Sequence, residues 1–418
     1  MKQFEKIHLF FILLLVPVVL FAANNFEPVN DGWYIRGIRV EFFVFALTLI
    51  GIAFFHSRTL TVALIGLVTL LLIRFLSSDF NIVNHIAEEW EILVNLLGLL
   101  LGFSILAKHF EESGLPDRIP GILPASWLGP MMLLVLVFVM SSFLDNIAAA
   151  MIGGSVALVI FRQNLHIGYV AAIVAASNAG GAGSVVGDTT TTMMWIDGVS
   201  PKNLIPAYIA AVPALIIFGS IASRQQFRLQ PVVPLNKDLQ RVINWKKILI
   251  SFLILIGAIS TNILLDFPAV GVWIAIIVGS MFSTTPWKEA RNSIKGTMFL
   301  LAVVTCASLV PVEDLPSPSW QSAFILGAVS SLFDNIPLTK MALDQSNYDW
   351  ALLAYAVGFG GSITWFGSSA GVAITNLFPI ARNLKAWLKG SWYIALAYTV
   401  GFAILYLLIG WHPHNHLQ

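Results

Sequence analysis

The feature that most constrains this chain is a succession of long apolar stretches with only short polar segments between them. They lie at roughly 7–23, 40–55, 60–76, 91–107, 128–161, 168–195, 204–222, 248–265, 268–284, 297–312, 320–378 and 391–410. A membrane-crossing helix needs about 20 mostly apolar residues, within a range of about 17–25. In lipid the backbone must satisfy its own hydrogen bonds, which leaves helices as the natural solution for such runs. The expected fold is an all-α polytopic membrane protein of about 10–11 spans. Charged residues make up 11% of the 418 positions, against about 25% in soluble domains. Lys and Arg number 23 and Asp and Glu 22, so bulk charge gives no ground for a nucleic-acid partner. The single cysteine, Cys306, rules out an intrachain disulfide and a cysteine metal cluster.

Loop charges set the orientation. The longest polar segment, 223–247, carries Arg224, Arg228, Lys237, Arg241, Lys246 and Lys247 against one acid, Asp238. The positive-inside rule places it in the cytoplasm. Threading the spans in order then puts Lys2, Lys6, Arg162, Lys288, Arg291, Lys295, Arg382, Lys385 and Lys389 inside. Asp79, Glu88, Glu89, Asp197, Asp266, Glu313, Asp314, Asp344 and Asp349 fall outside, as does the tail with His412, His414 and His416. The expected location is the bacterial cytoplasmic (inner) membrane, with the C-terminus external. The first stretch, basic at Lys2 and Lys6 and ending in Ala22-Ala23, reads equally as a first span or a removable signal peptide.

Two motifs recur in the same order. Ser141-Ser142-Phe143-Leu144-Asp145-Asn146-Ile147 returns as Ser330-Ser331-Leu332-Phe333-Asp334-Asn335-Ile336. Asn178-Ala179-Gly180-Gly181, running on to Gly187-Asp188, is answered by Gly358-Phe359-Gly360-Gly361, running on to Gly367-Ser368. The chain therefore divides into an N-terminal span or signal peptide with an external segment (1–39), a first repeat (40–222), the basic linker (223–247), a second repeat (248–410) and a His-containing tail (411–418). One repeat begins outside and the other inside, so their topologies are inverted, as in many secondary transporters. The 34 residues of 128–161 are short for two full spans, which need about 40. A re-entrant hairpin with Asp145-Asn146 at its tip fits better than two short tilted spans. A Gly-broken transmembrane helix follows each hairpin.

An acid at membrane depth costs about 2.5–3.5 kcal/mol on insertion scales. Asp145, Asp188 and Asp334 all fall in interrupted segments, where the bland reading is a solvated helix cap. Two of them occupy matched copies of one motif, which favours a transport site. Asn146, Asn335, Asn178, Ser184, Ser362, Thr364, Ser368, Ser369 and the run Thr189 to Thr192 surround them with oxygen. Oxygen-rich, sulfur-poor surroundings suit a hard cation, although for any one hydroxyl helix packing is the commoner role. A carboxylate that holds either Na+ or protons gives exchange without further machinery. Few intramembrane bases are present, chiefly Arg74 and Lys340, and Lys340 is expected to snorkel to the outer surface rather than pair or carry a proton.

At these residues the sequence resembles the NhaD-type sodium:proton antiporters of the ion transporter superfamily. The segments that carry the resemblance are SSFLDNIAAA, SNAGGAGSVVGDTTTTMMW, SSLFDNIPL and GFGGSITWFGSSAGVA, within roughly residues 90–410. The resemblance implies paired re-entrant hairpins and two broken helices. It implies ion and proton handling by Asp145, Asn146, Asn178, Asp188, Thr190, Thr191, Asp334 and Asn335, with Ser330, Ser362 and Ser368 as further oxygens. Na+ is expected at Asp145, Asp188 and Asp334. Ala148, Ala149, Trp365 and Lys340 depart from the family pattern. The function implied is exchange of Na+ or Li+ for H+, with no cofactor, no enzymatic activity, membrane lipids as surroundings and a homodimer as one expected assembly. The alternative within the superfamily is a carboxylate or oxyanion carrier for citrate, dicarboxylate or arsenite. It predicts Ser-Asn-Thr hairpin tips, where this chain has Asp-Asn. An intramembrane aspartyl protease also needs two membrane acids, but its Tyr-Asp and Gly-x-Gly-Asp signatures are absent.

Overall fold

A computed structural model of the chain describes residues 33–55, 58–77, 80–233 and 242–414. The apolar stretch 7–23, Lys2, Lys6, Asp79, Lys237, Asp238, Arg241 and His416 lie outside the described residues. Strand is confined, among the described residues, to a tight turn of β1 (Tyr34–Ile35) and β2 (Ile38–Arg39). Everything else of length is helix, and the fold is that of an all-α polytopic membrane protein.

The first helices are α1 (Val40–Phe54), α2 (Thr59–Ser77) and α3 (Ile82–Glu112). The interrupted stretch 128–161 becomes α4 (Leu128–Ser141) and α5 (Asn146–Ile160), with the chain reversing at Asp145. The stretch 168–195 becomes α6 (Ile167–Gly181) and α7 (Thr189–Ile196), followed by α8 (Tyr208–Leu229). Then come α9 (Trp245–Leu265), α10 (Pro268–Ser280) and α11 (Trp287–Ser308). The long stretch 320–378 resolves into α12 (Trp320–Ser330), α13 (Asn335–Gln345), α14 (Trp350–Gly360) and α15 (Ser369–Leu377), and α16 (Leu384–Ile409) closes the chain. Among the described residues, five helical runs are long and apolar enough to cross a membrane: Thr59–Ser77, Ile82–Glu112, Pro201–Leu229, Trp245–Leu265 and Leu384–Ile409. Helix α8 continues past the boundary at 222 through Arg224 and Arg228, because Arg and Gln are good helix formers. The Arg224 guanidinium lies over the Trp127 ring at 4.8 Å.

The helices sort into two groups. In one, α1, α2 and α11 share a small core that includes Val44, Leu70, Val303 and Cys306, while α9 and α10 pack on each other and on α3. In the other, α4 to α8 pack with α12 to α16 around a larger core. Helices α3 and α11 form the wall between the groups, against which α5, α7 and α13 lie. Within the larger group the two halves interlock: α5 packs on α15, and α13 packs on α7.

Matched glycines allow this packing. A Cβ on Gly180 would overlap the Phe138 carbonyl, and a Cβ on Gly360 would overlap the Gly327 carbonyl. Phe138 and Gly327 each stand seven residues before their Asp-Asn pair. The hydroxyl bonds match too. Ser184 donates to the Ser142 carbonyl at 2.6 Å, and Thr364 donates to the Ser331 carbonyl.

Lys340 does not snorkel. Its side chain is 2% exposed, with Nζ 2.9 Å from Glu89 Oε1 and 2.6 Å from Asp344 Oδ1. Helix α13 is packed against α7, α11, α12 and α14, which leaves the lysine stem no apolar surface along which to reach water. Glu89 reaches it because α3 begins at Ile82, which makes Glu89 helical instead of part of a loop. The other interior base, Arg74, lies 3.9 Å from Glu41, which also pairs with Arg39.

Two outcomes follow. Alanine at Gly180 or Gly360 should abolish recovery of monodisperse protein, although alanine favours helix by roughly 0.5–1 kcal/mol over glycine. Alanine at Gly296, which has open space where its Cβ would stand, should not; size-exclusion chromatography in detergent reads both. Lys340→Met strands Glu89 and Asp344, and should lower stability by about 3–5 kcal/mol. Adding Glu89→Gln and Asp344→Asn should recover most of that in a detergent melting curve, and an unshifted single variant would contradict the pairing.

Candidate functional site

Four helices begin at one place. Asp145 caps α5 through Ile147 N at 3.2 Å, and Asp334 caps α13 through Ile336 N at 3.1 Å. Asp188 caps α7 through Thr190 N at 3.5 Å, and Ser368 caps α15 through Gly371 N at 3.3 Å. Each follows from local sequence, since Asp and Ser are strong N-cap formers. A helix N-terminus carries up to about half a positive charge. Three of the four here are met by a carboxylate of the chain itself.

Asp188 is the hub, 2% exposed. Its Oδ1 accepts from Asn146 Nδ2 at 3.0 Å, and its Oδ2 accepts from Thr190 Oγ1 at 2.9 Å and from Asn335 Nδ2 at 3.3 Å. A carboxylate only accepts, and this orients everything behind it. Asn146 must present its amide N–H groups, and the second one reaches Asn178 Oδ1 at 3.0 Å. Asn178 therefore turns its own amide outward, donating to Ser362 Oγ at 2.9 Å and Ser368 Oγ at 3.1 Å. Gly358, the counterpart of Asn178, stands against Asp188: a Cβ there would come within 3.1 Å of Oδ2. The absence of a side chain lets α14 approach the acid.

The remaining residues divide. Asp145 and Asp334 flank the hub, and both lie within electrostatic reach of it. Asp334 Oδ2 accepts from Ser369 Oγ at 2.9 Å. Thr191 turns its hydroxyl to the backbone of the interruption, at Ser184 O (2.6 Å) and Asp188 O (2.9 Å). Ser330 donates to the Val357 carbonyl at 2.7 Å. Both hydroxyls shape the backbone and do not face an acid. Ser369, one of the oxygens expected around the acids, is a direct partner of Asp334, and Gly358 is a close neighbour of Asp188 that helical spacing does not signal.

A cavity of about 810 Å³ opens on Asp145. One wall is α3 and α11, including Phe103, Lys108 and Leu300; the other is α5 and α7, including Ala148, Met151 and Thr189. The cavity thus lies between the two helix groups. On the other side of the site, the corresponding helix α13 is packed onto α11 and tied to α3 by the Lys340–Glu89 pair. Met151 follows Asp145 by the same six residues that separate Lys340 from Asp334. One copy is open and the other is closed.

Comparison with known proteins places this architecture. The family model described as "Citrate transporter" matches residues 42–360, most of the chain. The Na+/H+ antiporter NhaD of Vibrio cholerae is 28% identical over 334 residues, covering 66% of this chain and 69% of its own. Sodium/proton antiporter 1 of Arabidopsis thaliana is 25% identical over 417 residues, covering 88% and 72%. An uncharacterized transporter of Mycobacterium bovis is 25% identical over 434 residues, covering 88% and 97%. The chain belongs to the citrate transporter family: it is an integral membrane secondary transporter, not an enzyme, and its relatives include NhaD-type antiporters.

Proposed function

We propose that the protein exchanges Na+ or Li+ for H+ across the cytoplasmic membrane, with Asp145, Asp188 and Asp334 as the acids that hold cation or proton in turn. The observation that carries this reading is the set of helix N-termini. An anion carrier needs such ends free to meet its substrate. Here three of the four are already met by aspartates, and the junction keeps an excess of negative charge whenever those acids are ionised. Donors from both Asp-Asn pairs and Thr190 converge on the two oxygens of Asp188. When a proton arrives, Asp188 becomes a donor on one edge, and the adjacent amide of Asn146 or Asn335 can rotate to present its oxygen. The same rotation would offer an oxygen ligand to a hard cation.

The hydrogen-bond and glycine contacts repeated between 128–196 and 320–377 support two structural repeats, inverted by the loop charges. The 14 residues of α4 rise about 21 Å, short of a hydrocarbon core of about 30 Å. This supports a re-entrant hairpin, and the shorter α12 and α13 support a second. With the basic loops inside, α3 ends and α11 begins in the cytoplasm, so the cavity at Lys108, Glu111 and Glu289 faces inward. Glu89 and Asp344 then close the external side.

The family's description as a citrate transporter supports one rival, a carboxylate carrier. Everted vesicles with an imposed proton gradient separate the two. Na+ and Li+ should dissipate the gradient and citrate should not; the reverse pattern would overturn the reading. Asp188→Asn should reduce exchange by more than about tenfold while the protein still inserts. Because proton and cation compete for the same acids, the KM for Na+ should rise as pH falls, by up to about tenfold per pH unit for one competing proton. A KM independent of pH would argue against shared acids.

A further inference from the structure

The cavity lining holds one hydroxyl that the fold does not use. Thr189, the first residue of α7, lines the cavity together with Asp145 and is 6% exposed. Its hydroxyl makes no hydrogen bond to any described residue. The other hydroxyl residues of the lining are all committed to backbone carbonyls: Ser104 to Leu101, Ser155 to Met151, Thr192 to Val185, Ser293 to Glu289 and Thr297 to Ser293. Its two neighbours in the threonine run are committed as well, Thr190 to the Asp188 carboxylate and Thr191 to the interruption backbone. Ile147 and Ala148, next to Asp145 in the lining, have no side-chain oxygen.

The second copy shows what such a hydroxyl does when its half is closed. Thr189 directly follows Asp188, as Ser369 follows Ser368. Ser369 donates to Asp334 at 2.9 Å, on the side where no part of the 810 Å³ cavity reaches the acid. In the open copy, the corresponding hydroxyl and carboxylate, Thr189 and Asp145, both face the cavity and make no hydrogen bond to each other.

We propose that Thr189 Oγ1 and the Asp145 carboxylate are adjacent ligands of a cavity-side subsite for a partly dehydrated alkali cation, and that Ser369 and Asp334 are the same subsite in its closed form. This inference rests on the cation-exchange reading and names the residue that sets cation affinity within it. A hydroxyl oxygen beside a carboxylate is a hard donor pair suited to a small monovalent cation. When the first half closes, Thr189 turns to Asp145 as Ser369 now does to Asp334. When the second half opens, Ser369 releases Asp334 and becomes the ligand.

The test pairs transport with direct binding. Thr189→Val keeps the shape and removes the oxygen; Thr189→Ser keeps the oxygen. In everted vesicles Thr189→Val should raise the KM for Na+ by about tenfold or more, and Thr189→Ser should restore it to within about threefold. Ser369→Ala should raise the KM for Na+ in right-side-out vesicles more than in everted ones. In detergent, NaCl should raise the melting temperature of the wild type relative to choline chloride, and this shift should be lost in Thr189→Val and kept in Thr189→Ser. A Thr189→Val protein with wild-type KM and wild-type Na+ shift would overturn the subsite while leaving the exchange reading intact. A wild-type protein with no Na+ response in either assay would overturn both.

Discussion

The structure depends on one buried carboxylate and the donors that surround it. Asp188 is out of water, and an ion so placed is costly unless hydrogen bonds replace its hydration. Those bonds come from three separate elements: Asn146 at the start of α5, Asn335 at the start of α13 and Thr190 in the first turn of α7. Because both Asp-Asn pairs converge on one acid, the two halves of the chain are joined at a polar contact as well as by apolar packing. The acceptor-only character of that acid fixes the amide orientations outward through Asn178 to Ser362 and Ser368. The hydrogen bonds of Asp188 therefore reach every helix start of the junction.

Around this contact, the same local devices serve twice and in different states. Each half uses an Asp cap, a glycine pressed on a neighbouring carbonyl, and a hydroxyl that ties the interruption to the turn before it. The halves differ in their relation to the wall of α3 and α11. The α5 side touches the wall at α3 and leaves the cavity beside that contact, while the α13 side is packed onto α11 and held by the Glu89–Lys340–Asp344 ions. Similar elements in two environments are what an alternating carrier requires, since exchanging the environments exchanges the side from which the acids are reached. The asymmetry here lies in the contacts with the wall and not in the elements themselves.

Much of this was legible in the sequence, for physical reasons. Apolar runs must become helices in lipid, so the stretches at 60–76 and 248–265 appear as α2 and α9 with little change. Asp-Asn and Gly-Gly interrupt helices by their own chemistry, so the breaks after Ser141, Gly181, Ser330 and Gly360 could be placed by residue type. What could not be read is set by side-chain direction and distant partners. The four threonines from 189 to 192 are alike in sequence, yet the turn of α7 sends one hydroxyl to an acid, two to backbone and one to the cavity lining. Lys340 looked free to snorkel because Glu89, its partner, lies 251 residues earlier in the chain. Which half is open is a property of packing between helix groups, and two nearly identical motifs contain no trace of it.

Exchange as proposed here requires one set of acids to hold protons and alkali cation in competition. The most direct measurement is proton release: NaCl is added to purified protein in weakly buffered detergent solution, and the pH change is followed with choline chloride and sodium-free citrate as controls. Protons should be released on addition of Na+, with no release on choline or citrate and a strongly reduced release in Asp188→Asn. No release with Na+, or a proton change that follows citrate instead, would contradict that competition.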